Sequence, residues 1–222
     1  MEANKLPAEQ FPALGARPEL RHCFTTRVRG IDVQADKTEA LERLDQAHRA
    51  VRSALGLGGR PFASAQQVHG RGIGVIDAPM AGDKCFDACD GLITNQRDVC
   101  LGIYVADCCA LYLVDTVRPA LGLVHSGRKG TELGIAAEAI RLMGERFGSR
   151  PEDILVQLSP CIRPPHYEVD FAADIVASCR AAGVTQIHDS GVCTACDLAR
   201  YYSYRAEKGK TGRMLALLAL AP

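Results

Sequence analysis

The chain has 222 residues, of which 47% are apolar and 23% charged, a balance that supports a packed core and excludes disordered and fibrous classes. Its 26 basic residues are matched by 26 acidic ones. Neither a nucleic-acid binder nor a membrane-surface protein is therefore expected, since both rest on surplus positive charge. No apolar run reaches the about 18 residues of a membrane span, and the nearest candidate, residues 100–114, is broken by Asp107. The opening residues 1–7 lack the apolar stretch of a secretory signal. A cytoplasmic location is expected, in which the ten cysteines stay free, structural, catalytic or metal-bound.

In chain order, residues 35–56 predict an amphipathic helix. Asp36 and Glu39 form a capping box, Leu41, Leu44, Ala47, Val51 and Leu55 recur at helical spacing, and Gly56, Gly58 and Gly59 end it. Two strands follow at 62–68 and 72–77, joined near His69, Gly70 and Arg71. Further strands are expected at 91–94, 99–105, 110–114 and 120–124. A glycine-containing loop, His125 to Gly130, leads into a helix over 131–147 with Leu133, Ala136, Ala137, Ile140, Met143 and Phe147 on its apolar face. Then come a strand at 154–158, a short helix over 170–182 closed by Gly183, and a hairpin from 201–205 and 214–220. No internal repeat or long linker interrupts the chain, so a single domain over 1–222 of mixed α/β or α+β class is expected.

Three residues combine metal-competent chemistry with a position at a strand end, where rigid scaffolds present functional side chains. They are His69, Cys108 and His125. Two imidazoles and a thiolate make a three-ligand zinc site with an open fourth position, which lowers the pKa of a bound water towards about 7. Each residue alone also fits a core role. The loop at Arg128 and Lys129 suits a phosphate at a helix start, or is a solvated basic turn. Gly70, Gly72 and Gly74 lead into a strand and lack dinucleotide-loop spacing. Cys193 and Cys196 form a CxxC; Cys85 and Cys89 have the wrong interval to complete a four-cysteine zinc site, and isolated thiols fit better. Arg205, Lys208, Lys210 and Arg213 beside Tyr201, Tyr202 and Tyr204 form either a nucleotide-handling edge or a charged hairpin tip.

Taken together these motifs resemble the YfiH, or laccase-domain, family of purine nucleoside phosphorylases, formerly described as multicopper polyphenol oxidases. The matching stretches are Thr25-Thr-Arg27, Gln67-Val-His69-Gly70, Asp90-Gly-Leu-Ile-Thr94, Ala106-Asp-Cys108, His125-Ser-Gly127, Ser159-Pro-Cys-Ile162, Tyr167-Glu-Val169, Cys193-Thr194, Tyr201-Tyr-Ser-Tyr-Arg205 and Thr211-Gly-Arg213. The resemblance implies a four-layer α-β-β-α sandwich and zinc on His69, Cys108 and His125. It further implies phosphorolysis of adenosine and methylthioadenosine, and adenosine deamination. Arg27 and Lys129 match the family's phosphate-side basic positions, with Gln67 and Arg128 beside them as substrate contacts. The chain departs from the family where Arg128 replaces a tryptophan, removing an aromatic surface, and where Lys129 replaces an arginine, removing a bidentate contact. It is read as a divergent member acting on small molecules.

Three other functions compete. A copper polyphenol oxidase needs many clustered histidines, whereas this chain has six, at 22, 48, 69, 125, 166 and 188, with no His-x-His pair. A thiol hydrolase would use Cys108 as nucleophile and His125 as base, with Asp107 influencing the pair. A non-catalytic paralogue would bind a nucleoside without turnover.

Overall fold

Two six-stranded sheets lie face to face in the computed structural model, which describes residues 7–221. The elements run β1 (Ala8–Glu9), α1 (Pro12–Gly15), β2 (Leu20–Thr25), α2 (Lys37–Ala54), β3 (Phe62–Ala65), β4 (Ile73–Ile76), β5 (Lys84–Phe86), β6 (Gly91–Thr94), β7 (Cys100–Val105) and β8 (Cys109–Asp115). They continue with β9 (Leu121–Ser126), α3 (Arg128–Glu132), α4 (Ile135–Phe147), β10 (Ile154–Leu158), α5 (Phe171–Ala181), β11 (Gln186–Asp189) and β12 (Met214–Leu220). One sheet has the order β1-β2-β12-β7-β3-β5 and the other β11-β10-β8-β9-β6-β4.

The layering follows from side-chain alternation along the central strands. In β12, Ala216 and Leu218 face the inter-sheet core with Phe24, Leu101 and Tyr112, while Leu215, Leu217 and Ala219 face outward to Val51 of α2. The second sheet covers its outer face with α4 and α5, whose Ile135, Ile140, Met143, Phe171 and Ile175 pack on Leu111, Val124 and Val156. Both central strands are buried on two faces, which is why they read as continuous apolar runs. The architecture is the four-layer α-β-β-α sandwich that the motifs implied. Among the described residues no helix is long and apolar enough to cross a membrane; the reading of residues 1–6 as lacking a signal lies outside the described residues.

Several sequence expectations need correction. The Asp36 cap is present, accepting from the Glu39 amide at 3.0 Å, but α2 buries Ala40 and His48 where Leu41 and Ala47 were expected. The helix over 131–147 is two helices, because Gly134 adopts φ 75°, and Leu133 is 43% exposed instead of lying on the apolar face. The predicted strand pair at 62–68 and 72–77 splits between the two sheets as β3 and β4. The C-terminal hairpin does not form: residues 201–205 contain no strand, and β12 pairs with β2 and β7. Strands β1, β2, β5 and β11 had no counterpart in the sequence reading.

His22 in β2 illustrates how the core constrains ionisation. Its Nε2 accepts the Phe11 amide at 2.9 Å, and burial holds the imidazole down from 6.5 to about 4. The folded state keeps it neutral while the unfolded chain takes up a proton below 6.5, so stability falls as pH drops from 6.5 towards 4. By linkage this gap is worth about 3 kcal/mol. His22→Gln, which retains an acceptor, is expected to flatten the loss of urea-denaturation midpoint between pH 6.5 and 4; an unchanged slope would show that His22 carries none of it.

Candidate functional site

The site forms where the chain passes from one sheet to the other. The link from β3 to β4 carries Gln67 and His69, and the tight link from β7 to β8 carries Asp107 and Cys108. Both links need left-handed backbone: Gln67, His69 and Asp107 have φ of 63°, 59° and 82°. Such conformations persist in non-glycine residues only where surrounding bonds over-determine them. For Gln67 those bonds are a two-way amide pairing with the Tyr104 backbone and donation of its own N–H to Cys89 O. For His69 the bond is to Asp90.

Asp90 precedes β6 and is fully buried. Its carboxylate accepts the backbone N–H groups of Val68 (3.2 Å), His69 (2.8 Å) and Gly70 (2.7 Å), and Nδ1–H of His125 (2.9 Å). Burial favours its neutral form, but the bonds from His125, Gly70 and His69 prevail and hold its pKa below the usual carboxylate value. With Nδ1 of His125 committed to Asp90, its Nε2 is left for the cavity.

The ligand atoms of His69, Cys108 and His125 lie within 4.8 Å of one another. His69 Nε2 is 4.0 Å from Cys108 Sγ, and the two imidazoles meet edge to face with centroids 4.8 Å apart. Tetrahedral zinc, with bonds of about 2.3 Å to sulfur and 2.0–2.1 Å to nitrogen, separates S and N ligands by about 3.6 Å, and the His69–Cys108 separation of 4.0 Å stands within a few tenths of an ångström of that. Burial opposes the Cys108 thiolate, yet His125 and His69 outweigh it and bring the thiol down to about 6. Burial likewise opposes protonation of His125, but Cys108 and Asp90 lift it to about 9. Gly127 completes the fit: a Cβ there would lie 2.5 Å from Cys108 Sγ, so only glycine lets β9 turn into α3 beside the thiol.

A cavity of about 840 Å³ opens over these residues, a size suited to a small organic ligand. Of the predicted contacts, Gln67, Arg128 and Lys129 line it. Arg27 does not; its guanidinium bonds Tyr201 O (2.9 Å) and Glu207 (2.7 Å) and lies 4.4 Å from the centroid of the Tyr202 ring. Arg128 is ion-paired with Glu132 (2.9 Å) and Glu168 (3.5 Å). Two cavity cations that the sequence reading did not assign to the site, Lys37 and Arg213, form no ion pair among the described residues. Arg213 is 8% exposed and donates only to Thr211 O and Gly212 O. Burial lowers the pKa of both, and Arg213 lowers that of Lys37 further. Arg213 was visible in a basic cluster and in the Thr211-Gly-Arg213 stretch, with no role attached to it singly, and Lys37 carried no motif at all. The aromatic surface expected to be lost with Arg128 is present from other segments, as Tyr104, Tyr167, Phe171 and Tyr204.

The family model described as multi-copper polyphenol oxidoreductase laccase matches residues 21–178 and 170–221. The purine nucleoside phosphorylase YlmD of Bacillus subtilis is 32% identical over 60% of this chain and 59% of its own length. A purine nucleoside phosphorylase of Deinococcus radiodurans is 32% identical over 99% of this chain and 95% of its own. The crystal structure of YlmD from Geobacillus stearothermophilus shares the fold, with a TM-score of 0.83 over 92% of this chain and 93% of that one at 24% identity. A family match from residue 21 to 221, together with a relative aligned along nearly the whole length, makes this chain a member of the multi-copper polyphenol oxidoreductase laccase family.

Proposed function

We propose that this protein is a purine nucleoside phosphorylase of adenosine and methylthioadenosine type, with zinc held by His69, Cys108 and His125. The observation that carries the reading is one cavity holding both the three-ligand group and two cations without carboxylate partners among the described residues, the half-buried Lys37 and the buried Arg213. A buried guanidinium without an ion-pair partner calls for an anion, and phosphate is the anionic substrate of phosphorolysis. The names of the relatives support the same activity.

In the reaction, a phosphate oxygen forms a bond to C1′ of the ribose and the C1′–N9 bond breaks. The bond pair leaves with the purine, which takes a proton, and the sugar departs as its 1-phosphate. Arg213 and Lys37 hold the phosphate, with Lys129 nearby in place of the role first given to Arg27. Tyr167 and Phe171, packed edge to face at 5.8 Å, offer the purine an aromatic wall. Gln67 is a positioning residue, since its amide is spent on Tyr104. Arg27 acts at one remove by fixing Glu207 and the segment that carries Arg213. A bound zinc ion supplies Lewis-acid polarisation of a substrate atom. Adenosine deamination rests on the same ligand group and enters through the family resemblance. We extend the reading to a single cytoplasmic domain over residues 1–222 acting on small molecules.

One observation favours a second reading. The Cys108–His125 pair, with its thiol at about 6, has the electrostatics of a thiol hydrolase. Zinc on the same sulfur blocks that chemistry, so the two readings exclude each other. The copper chemistry in the family's description finds less support, because His22 is already spent on the Phe11 amide and His48 is buried beneath Tyr104.

Chromatography of adenosine incubated with zinc-loaded protein is expected to give adenine only when phosphate is present; inosine without phosphate reports deamination. Arg213→Met is expected to raise KM for phosphate roughly 10- to 100-fold, the loss of a charge-assisted hydrogen bond of about 1.5–3 kcal/mol. Nucleoside binding with no product under any condition would overturn the enzyme reading.

His69→Ala is expected to abolish both bound zinc and turnover. Gly127→Ala, which changes no ligand, is expected to weaken zinc binding by about 10- to 100-fold while the thermal unfolding transition stays cooperative. Zinc is expected to protect Cys108 from iodoacetamide; equal labelling of zinc-loaded and metal-free protein would favour the thiol hydrolase.

A further inference from the structure

The CxxC at Cys193 and Cys196 lies outside the cavity lining and has a partner that the sequence did not indicate. His166, Cys193 and Cys196 bring their ligand atoms within 4.8 Å of one another. His166 Nδ1 is 3.8 Å from Cys193 Sγ and 3.5 Å from Cys196 Sγ. Those separations bracket the about 3.6 Å between sulfur and nitrogen ligands on a tetrahedral zinc-class ion. Cys85 and Cys89, the alternative partners by composition, belong to neither ligand group. We infer that His166, Cys193 and Cys196 form a second cation site, selective for a thiophilic divalent ion such as zinc and separate from the one in the cavity.

Both segments of the site are held in place by the fold. The backbone at Cys193 forms an isolated parallel β-bridge with that at Cys161, with the Cys161 amide donating to Val192 O (3.2 Å) and the Thr194 amide to Cys161 O (3.1 Å). Thr194 to Cys196 form a single 3-10 turn, closed by the Cys196 amide on Cys193 O (3.2 Å), which brings the two cysteines back towards one another. Thr194 Oγ1 anchors the turn to Asp107 at 2.7 Å. The His166 amide closes its own turn on Arg163 O at 2.9 Å. The two neighbouring guanidiniums are both compensated, Arg163 by Asp189 and Arg200 by Glu9, which lessens repulsion of an incoming ion. Two thiolates cancel a divalent charge, and binding releases their two protons. His166 and Cys196 are exposed, leaving an entry path and an open fourth position for water.

The site has a structural consequence for the cavity. Tyr167 follows His166 directly and lines the cavity, where the Arg205 guanidinium stacks on its ring at 4.8 Å. Glu168, the next residue, pairs with Arg128 and Arg205. An ion on His166 therefore clamps the turn that carries this wall to the 193–196 turn. The inference rests on its own ligand geometry and not on the nucleoside reading.

Cobalt(II) titration of metal-stripped, fully reduced protein tests it, read by thiolate-to-cobalt charge-transfer absorbance. The intact chain is expected to take up about two equivalents. A His69→Ala/Cys108→Ser chain is expected to retain one equivalent with a two-thiolate band, and adding Cys193→Ser/Cys196→Ser is expected to remove it. His166→Ala, a change at an exposed position, is expected to weaken that remaining equivalent at least about tenfold, which keeps the test readable if the double serine variant fails to fold. Cobalt uptake unaffected by His166→Ala and by the serine changes would overturn the inference. So would a Cys193–Cys196 disulfide that persists in the reduced, metal-supplied protein.

Discussion

The carboxylate of Asp90 is the constraint on which the candidate site depends. A buried carboxylate is costly unless its oxygens are filled, and here four donors fill them from two separate stretches of chain. Three are consecutive amides from Val68 to Gly70, which fix the left-handed turn at His69. The fourth is Nδ1–H of His125, which sets that imidazole's orientation. One side chain thus places two of the three metal-competent residues. The third, Cys108, is placed by the tight link between sheets and by the missing side chain at Gly127.

Asp107 does for the C-terminal half what Asp90 does for the first. Its carboxylate accepts from Thr194, Ser203 and the Arg205 amide, and its carbonyl accepts from the Ile162 amide. Three distant segments, at 162, 194 and 203–205, converge next to Cys108 for that reason. The sequence reading gave Asp107 a direct influence on the Cys108–His125 pair; its hydrogen bonds instead hold the cavity wall together. The Arg27–Glu207 pair extends the same frame to residues 201–213, which explains how a cation away from the cavity governs the placement of Arg213 inside it.

Periodicity and caps made much of this fold legible. The Asp36 cap, the buried runs of β7, β8, β9 and β12, and the glycine stops at Gly56 and Gly183 are local, and they stand where the residues put them. What failed was pairing. Residues 201–205 and 214–220 around Gly209 and Gly212 read as a hairpin, yet β12 finds β2 and β7, partners more than a hundred residues away, because the inter-sheet core needs a central strand there. The helix over 131–147 failed at Gly134, where a left-handed turn costs glycine nothing. The three candidate ligands were legible from strand ends and Arg213 as one member of a basic cluster and motif, whereas Lys37 was not, since the lack of an ion-pair partner is a property of three-dimensional surroundings. His166 was hidden for the same reason: nothing in its spacing relates it to Cys193.

The altered loop at Arg128 and Lys129 loses much of its weight once these surroundings are known. As sequence, replacing an aromatic with a guanidinium places a new positive charge beside the substrate and removes a stacking surface. In the folded chain Glu132 and Glu168 neutralise that guanidinium, and Tyr104, Tyr167, Phe171 and Tyr204 provide aromatic surface from other segments. The exchange at Lys129 is likewise one position among several cations that face the same cavity. A buried guanidinium with no carboxylate within ion-pair distance holds an anion more firmly than an exposed lysine at a loop, because the low-dielectric surroundings strengthen the attraction. The electrostatic centre of the cavity is therefore Arg213 with Lys37, and the loop at 128–129 is its rim.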